Sequence, residues 1–150
     1  MIRRQLKSSE VADNPHLVWN AFVDLIAVED YFALTQIQQL AHLVFWYDSE
    51  VQNGGHLQYF ANSAGERAEE TLKALQSLKM DEQFTILEGA ISVLRQHPVP
   101  DLETVEDYVA EALEGNFDEL DRRYYECAKP ANDYLEEYLE KNLPEFVALY

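Results

Sequence analysis

Apolar residues recur every three or four positions along most of the chain, a spacing that places them on one face of an α-helix. The first such segment, DNPHLVWNAFVDLIA, offers Asp13 or Asn14 as the residue that caps the start of a helix. A second segment runs from about Thr35 to Val51, where glycines interrupt it. The pattern therefore predicts a chain built from short amphipathic helices.

Five further segments follow the same period. In chain order they are residues 66–78, 81–96, 102–115, 117–128 and 130–143. The stretch HPVPD between the second and third of them predicts a loop, because its two prolines disfavour helix. No segment alternates convincingly between apolar and polar residues, so we predict no strand. The predicted fold is all-α, a single compact domain of about seven or eight short helices over residues 1–150.

Composition favours a soluble protein with a hydrophobic core. Hydrophobic residues occupy 47% of the 150 positions, enough apolar surface to offset the conformational entropy lost on folding. No apolar run approaches the roughly 18 residues that span a bilayer, and the basic N-terminus lacks the apolar stretch of a signal peptide. The single cysteine, Cys127, excludes an internal disulfide and is typical of a reducing compartment. We expect a cytoplasmic protein.

Net charge is the most unusual property of the sequence. The chain has 28 acidic and 11 basic residues, for a formal net charge of −17. Ten acids and five bases lie in residues 1–75, whereas eighteen acids and six bases lie in residues 76–150. Such a field repels nucleic acids and anionic membranes and attracts basic partners. Direct binding to nucleic acid or to a membrane is therefore not expected.

The glycines that interrupt the second helix lie in the stretch YDSEVQNGGHLQYF. We expect Gly54 to end that helix with a positive φ, and Gly55 to let the next helix leave at a sharp angle. Glu50 or Asn53 would then accept hydrogen bonds from the exposed amides of the new helix. The neighbouring aromatic residues would pack around this structural corner.

Two chemical explanations of the same stretch are weaker. Asp48, Glu50 and His56 are metal-ligating residue types, but they lack the His and Glu spacing of a zinc-binding helix. Glu50 and His56 could also act as an acid–base pair, since histidine titrates near neutral pH. The neighbouring sequence provides neither a nucleophile nor a phosphate-binding loop. We therefore expect no catalytic residue, no metal and no cofactor.

Two of the predicted helices carry rows of carboxylates opposite apolar residues. The first row consists of Glu103, Asp107, Glu111, Glu114 and Asp118, and the second of Asp133, Glu136, Glu137 and Glu140. Like charges at this spacing cost roughly 0.2–0.5 kcal/mol per pair, and few lysines lie between them to relieve the repulsion.

The rows have two interpretations, which the residues alone leave open. One is a solvated face that keeps an acidic protein soluble. The other is recognition, because carboxylates one helical turn apart are about 5–6 Å from each other. Phosphates of one DNA strand advance about 3.4 Å of helix axis per nucleotide along a longer path. A rigid row of carboxylates can therefore approximate a row of phosphates, and a protein that binds phosphate through Lys and Arg could bind it.

The stretch SEVQNGGHLQYF also resembles the signature of a bacterial family of small acidic helical proteins. That pattern is an acidic residue and Val, then Asn-Gly-Gly, an aromatic residue and Gln-aromatic-Phe. The matching residues are Glu50, Val51, Asn53, Gly54, Gly55, Gln58, Tyr59 and Phe60. His56 stands where the pattern has Phe, which predicts a polar contact at that position. The upstream helix and the acidic C-terminal half are similar too.

The resemblance implies an all-α fold and, for one line of the family, mimicry of DNA. Such a mimic occupies the DNA-binding surface of a helix-turn-helix transcription factor, with a dimer as the active form. We therefore expect a non-enzymatic protein whose two acidic rows bind a basic DNA-binding protein. The alternatives are an immunity or antitoxin-like protein that neutralises a basic toxin or nuclease, and a domain with no mimic role. Tyr124, Tyr125, Tyr134 and Tyr138 are candidates for a homodimer contact, although a helical core would use them equally well.

Overall fold

In a computed structural model, the chain folds as short helices packed around one long helix. The structure describes the backbone of residues 1–150 and every side chain except that of Ala64. The α-helices in the described residues are α1 (Ser8–Asp13), α2 (His16–Val28), α3 (Gln36–Ala61), α4 (Ala68–Ser77), α5 (Asp81–Gln96), α6 (Val105–Leu113), α7 (Asp118–Tyr125), α8 (Ala131–Lys141) and α9 (Leu143–Phe146). Two short 3-10 helices, Tyr31–Ala33 and Ser63–Arg67, flank α3.

The all-α prediction is confirmed, and the predicted loop between α5 and α6 is present. The helix count exceeds seven or eight because α1 and α9 are only six and four residues long. Segments of one turn or so are too short to show a helical period. Among the described residues, no helix combines the length and the hydropathy needed to cross a bilayer.

The long helix α3 is the centre of the fold and contacts α2, α4, α7, α8 and α9. A capping box begins it: the Thr35 hydroxyl accepts from the backbone N–H of Gln38, and the Gln38 side chain accepts from the backbone N–H of Thr35. The fully buried core side chains around it include Phe22, Leu25, Val44, Leu75, Leu87 and Leu135, contributed by five helices. Burial of each contributes about 1.5–3 kcal/mol to stability.

The expectation of no strand was wrong, because the two ends of the chain pair. Strand β1 (Arg4–Leu6) lies parallel to β2 (Val147–Leu149), with Arg4 opposite Val147 and Leu6 opposite Leu149. Three-residue strands are too short to show alternation, and their pairing depends on where the whole intervening chain brings them.

Gln38 connects α3 to the residues that precede each of the two strands. Its side chain is fully buried, and its Nε2 donates to the carbonyl oxygens of Ile2 and Glu145, each at 2.7 Å. Its Oε1 accepts from the N–H of Thr35 at 3.0 Å. Both hydrogens of the amide are therefore used to hold the N-terminal and C-terminal segments on the start of the long helix.

Candidate functional site

The two glycines divide α3 into two helical segments. Gly54 has φ −150° and ψ 22°, and Gly55 has φ 71° and ψ −174°. The expected positive φ is therefore at Gly55, and the assignment to Gly54 was wrong. A positive φ combined with ψ near 180° is a region that only glycine occupies readily, so Gly55 is the residue that permits the break.

The start of the second segment is capped by a residue from another helix. The N–H of His56 donates to Oδ1 of Asp121, in α7, at 2.9 Å. The expectation that Glu50 or Asn53 would cap it was wrong, because the break brings the new N-terminus against α7. Glu50 is buried and instead accepts from Nε2 of Gln58 at 2.7 Å and from Nδ2 of Asn62 at 2.8 Å.

His56 lies at the centre of a buried polar network. Its Nδ1 is 2.6 Å from Oδ1 of Asp121, and its Nε2 is 2.7 Å from the hydroxyl of Tyr47. Since the carboxylate can only accept, Nδ1–H donates to Asp121, and the Tyr47 hydroxyl then donates to Nε2. Burial raises the pKa of Tyr47 well above its ordinary value, which keeps this hydroxyl a donor.

The ring of His56 pairs with Asp121 and Tyr47 and not with Glu50, so the suggested acid–base pair of Glu50 and His56 was wrong. The polar contact predicted at His56 is confirmed. His56 has no exposed surface, and both of its ring nitrogens are engaged within the protein. Asp121 was not expected at the corner, and no local signal could reveal it, since it lies 65 positions after His56.

Three tyrosine hydroxyls from α6 and α7 bind the first segment of α3 just before the break. Tyr124 donates to Oδ1 of Asp48 at 2.6 Å, Tyr125 to the carbonyl of Val51 at 2.8 Å, and Tyr108 to the carbonyl of Gly54 at 3.0 Å. The last carbonyls of a helical segment have no partner within it, so Tyr125 and Tyr108 supply donors where the break removes them. Burial raises the pKa of all three tyrosines.

Tyr124 and Tyr125 are also two of the four candidates for a homodimer contact. Tyr124 is buried, and Tyr138 donates to the carbonyl of Ile37 at 3.1 Å. Lys129 lies 4.2 Å above the ring of Tyr134. Each of the four candidates thus makes a contact within the protein, and the homodimer stays a prediction.

The remaining signature residues complete the corner. Val51 and Tyr59 are fully buried, and Tyr59 donates to the hydroxyl of Thr71 at 3.2 Å. Nδ2 of Asn53 donates to Oε1 of Gln58 at 3.0 Å, and the ring of Phe60 is 5.5 Å from that of Phe117. Across the part of the chain that the structure describes, no three His, Cys, Asp or Glu side chains are arranged to hold a metal ion. Asp48, Glu50 and His56 in particular have separate partners.

The first acidic row lies on α6 and at the start of α7. Glu103, Asp107, Glu114 and Asp118 are exposed, and Glu111 is half-buried. Asp107 also helps to cap the start of α6, because its Oδ2 accepts from the backbone N–H groups of Glu103 and Thr104, each at 3.2 Å. The hydroxyl of Thr104 accepts in return from the N–H of Asp107, which forms a capping box.

Three aliphatic residues of α6 lie toward solvent and not against the core. Val105 is 76% exposed, Val109 49% and Leu113 82%, and α6 has no buried residue. The hydrogen bond from Tyr108 to the carbonyl of Gly54 fixes the rotation of this helix, so that Tyr108 and Glu111 face the body of the protein instead.

The second row lies on α8, whose faces are as expected. Leu135 and Leu139 are buried, whereas Asp133, Glu136, Glu137 and Glu140 are exposed. Glu137 forms an ion pair with Nζ of Lys129 at 2.6 Å, and the hydrogen bond to Lys129 lowers the pKa of Glu137.

Comparison with known proteins gives one match. A sequence model of the family described as DMP19-like protein matches residues 32–142. The chain belongs to the DMP19-like protein family. No curated protein and no solved structure matches it. The family match covers α3 to α8, with the helix break and both acidic rows, and leaves out the two paired strands.

The charge of the rows is almost uncompensated in this member of the family. Of the nine row carboxylates, Glu137 is the one that forms an ion pair among the described residues. Other acids are partly neutralised: Arg4 pairs with Asp24 and Glu29, and Arg122 pairs with two glutamates of α7 and its C-terminus. Eight of the nine row carboxylates therefore keep their charge without an ion-pair partner in the described chain.

The two rows are attached toward opposite ends of the first segment of α3. The first is tied to it at Gly54 through Tyr108, and the second at Ile37 through Tyr138. At 1.5 Å per residue, these two anchor points are about 25 Å apart along the helix axis. The first segment of the long helix therefore separates the two points at which α6 and α8 are hydrogen-bonded to it.

Proposed function

We propose that this member of the DMP19-like family is a non-enzymatic protein that binds a basic DNA-binding protein in place of DNA. The observation that supports the proposal is the set of eight exposed or half-exposed row carboxylates without an ion-pair partner in the described chain. The family match is consistent with a DNA-mimic role.

In this proposal each carboxylate replaces one phosphate contact of the partner. A pair of opposite charges 4 Å apart contributes about 1 kcal/mol in water and about 4 kcal/mol near a protein surface. Several such pairs are needed to offset the freedom lost on association. The rows are held in place by the α6 capping box and by the buried leucines of α8, so little ordering is required when the partner binds.

The polar groups of the corner support a structural role for Asn53, Gly54, Gly55 and His56. Every polar side chain that sequence analysis offered for chemistry there bonds to another group of the protein. These contacts hold α6 and α7, and with them the first row, against the long helix.

Affinity capture at low salt tests the proposal. The immobilised protein is exposed to lysate of its own organism, and bound proteins are challenged with excess duplex DNA. We expect a DNA-binding protein to be retained and then released by DNA and by raised salt, because exposed charges are screened. A retained basic protein that DNA does not release would favour the toxin-neutralising alternative, and binding that is insensitive to salt would contradict both.

A further inference from the structure

Helix α6 exposes an apolar stripe that the described part of the chain leaves uncovered. Val105, Val109 and Leu113 are spaced four residues apart, so they line one face; Val105 and Leu113 are largely exposed, and Val109 is about half exposed. A surface helix of a folded domain ordinarily buries such a face against the core. On α8, which has a similar alternation of acids and apolar residues, the apolar face is buried.

The stripe continues into a groove. A cavity of about 740 Å³ lies between the end of α3 and the segment that leads into α6. Phe60, Val99 and Leu102 line it, and Val105 lies at the junction of groove and stripe. This volume is within the range of sites that accept side chains or small ligands.

Carboxylates border this apolar surface. Glu103 and Glu106 lie beside Val105 along the chain, and Glu114 follows Leu113; all three are exposed. None of the three forms an ion pair within the described residues. The surface therefore has an apolar centre and a negatively charged border.

We propose that the stripe and groove dock an amphipathic helix of the partner whose polar face is basic. Such a helix would lay its apolar side chains on the stripe while its Lys and Arg residues reach the bordering carboxylates. A second copy of this chain fits poorly, because it would bring the same carboxylates against each other. The inference rests on the proposed function, since it assigns the apolar part of the same partner-binding surface.

A designed peptide tests this docking site. The probe is a fluorescently labelled 14-residue peptide of Leu and Lys arranged as an amphipathic helix, and its control has the same composition in scrambled order. We expect the ordered peptide to bind at least tenfold more tightly than the scrambled one. Equal binding of the two would overturn the proposal, because charge alone would then explain the association.

Two matched double variants locate the site. Val105→Ser with Leu113→Ser should weaken peptide binding at least tenfold without lowering the melting temperature, since both side chains are exposed. Val28→Ser with Phe32→Ser, which also replaces two exposed apolar residues, should leave the Kd unchanged within twofold. Unchanged binding by the stripe variant would overturn the proposal. So would sedimentation showing a dimer that the stripe variant dissociates, since the stripe would then be occupied by a second copy.

A third variant separates this inference from the proposed function. Glu103→Gln, Glu106→Gln and Glu114→Gln together should weaken binding of the ordered peptide and reduce its dependence on salt. If these substitutions weaken peptide binding and the stripe substitutions do not, the proposed docking site is wrong, whereas the proposed binding of a basic partner by the carboxylates is retained. If neutralising the carboxylates changes neither peptide binding nor its salt dependence, the proposal of a basic partner is wrong.

Discussion

His56 shows how one residue can link parts of the chain that are distant in sequence. Its imidazole joins Tyr47 on the first segment of α3 to Asp121 on α7, and its backbone N–H uses the same carboxylate. A buried network of this kind stabilises one arrangement only while every member has its partner. The ring also stacks against Phe117, 6.3 Å away, so the site is apolar around its polar centre.

Replacement of His56 by Phe tests this network. The ring should still fit among the aromatic side chains, but the Tyr47 hydroxyl would be buried without a partner, at a cost of about 1–3 kcal/mol. Tyr47→Phe in the same chain removes that hydroxyl, so the double variant should be more stable than the sum of the two single effects predicts. Urea unfolding of the four proteins gives the coupling energy, and simple additivity would argue against the hydrogen bond.

The thiol of Cys127 is expected to be unreactive. Burial, followed by the charge of Glu82, raises its pKa from 9.0 to about 11. The thiolate is the reactive form, so this rise lowers the reactive fraction at pH 8, and the greater nucleophilicity of a more basic thiolate offsets only part of that loss. Iodoacetamide should therefore alkylate the folded protein at least about tenfold more slowly than the chain unfolded in urea. Equal rates in the two states would contradict the raised pKa.

At the scale of elements, the break in α3 determines where α6 and α7 lie. A continuous helix would keep the carbonyls of Val51 and Gly54 for its own hydrogen bonds. Because the helix breaks at Gly55, these carbonyls accept from Tyr125 and Tyr108, and the N–H of His56 at the new N-terminus donates to the carboxylate of Asp121. The break is thus the attachment point for the helices that carry the first acidic row.

The two glycines should respond differently to substitution. Gly55→Ala places a side chain at φ 71° and pushes its Cβ into the Asp121 carboxylate, so we expect a loss of at least about 2 kcal/mol of unfolding free energy. Gly54→Ala has an ordinary φ, but its Cβ would be 2.8 Å from the Cβ of Gln58. The end of the Gln58 side chain can rotate away and give up its hydrogen bonds at a cost of about 1 kcal/mol, and the contact between the two Cβ atoms requires a small backbone shift in addition. Chemical denaturation measures both losses of unfolding free energy. A larger loss for Gly54→Ala than for Gly55→Ala would contradict the assignment of the strained backbone conformation to Gly55.

Helices α6 and α8 show why an amphipathic pattern does not always identify the buried face. On α8 the pattern alone was sufficient, since Leu135 and Leu139 are in the core. On α6 a single hydrogen bond from Tyr108 and the cap at its N-terminus orient the helix, and no core surface is available to cover Val109 or Leu113. Which face is buried depends on the neighbours that the fold supplies.

For the whole molecule, uncompensated charge and the separation of the two rows are the properties most relevant to binding. The first segment of α3 separates the anchor points of the two rows by about 25 Å. Substitutions at sites so far apart, with no contacting residue in common, usually have additive effects on the free energy. The two rows should therefore make two separate contacts with the partner, on one of its surfaces or on two.

Neutralising each row by amide substitution tests this independence. The first set is Glu103→Gln, Glu111→Gln, Glu114→Gln and Asp118→Asn, which spares the capping Asp107, and the second is Asp133→Asn, Glu136→Gln and Glu140→Gln. Each set should weaken binding of the captured partner and flatten its salt dependence, and the two losses of binding free energy should add within about 0.5 kcal/mol. Melting temperatures should change little, because relief of repulsion between like charges offsets the loss of the carboxylates of Asp118 and Asp133 from the first turns of α7 and α8.

A matched control for these variants comes from acids outside the rows. Asp13, Glu70, Asp81 and Glu88 are exposed and form no ion pair within the described chain. Replacing these four by their amides removes as much charge as the first set and should change affinity far less. An equal effect of the control set would mean that net charge, and not the rows, determines binding.

The sequence by itself determined the features that depend on neighbouring residues. The helical period placed α2, the first segment of α3, α4, α5, α7 and α8 within a few residues, the prolines after α5 marked the loop, and the spacing of acids on α8 identified its exposed face. These properties follow from interactions within one or two helical turns, which the local sequence contains.

Only the tertiary structure decided the features that depend on distant partners. The cap of His56 by Asp121, the link from Gln38 to both ends of the chain and the exposure of the α6 stripe each require residues far apart in sequence. The positive φ falls on Gly55 and not on Gly54, directly before His56, whose N–H donates to Asp121 of α7. A local pattern cannot specify such contacts, since their geometry is fixed only when the whole chain has folded.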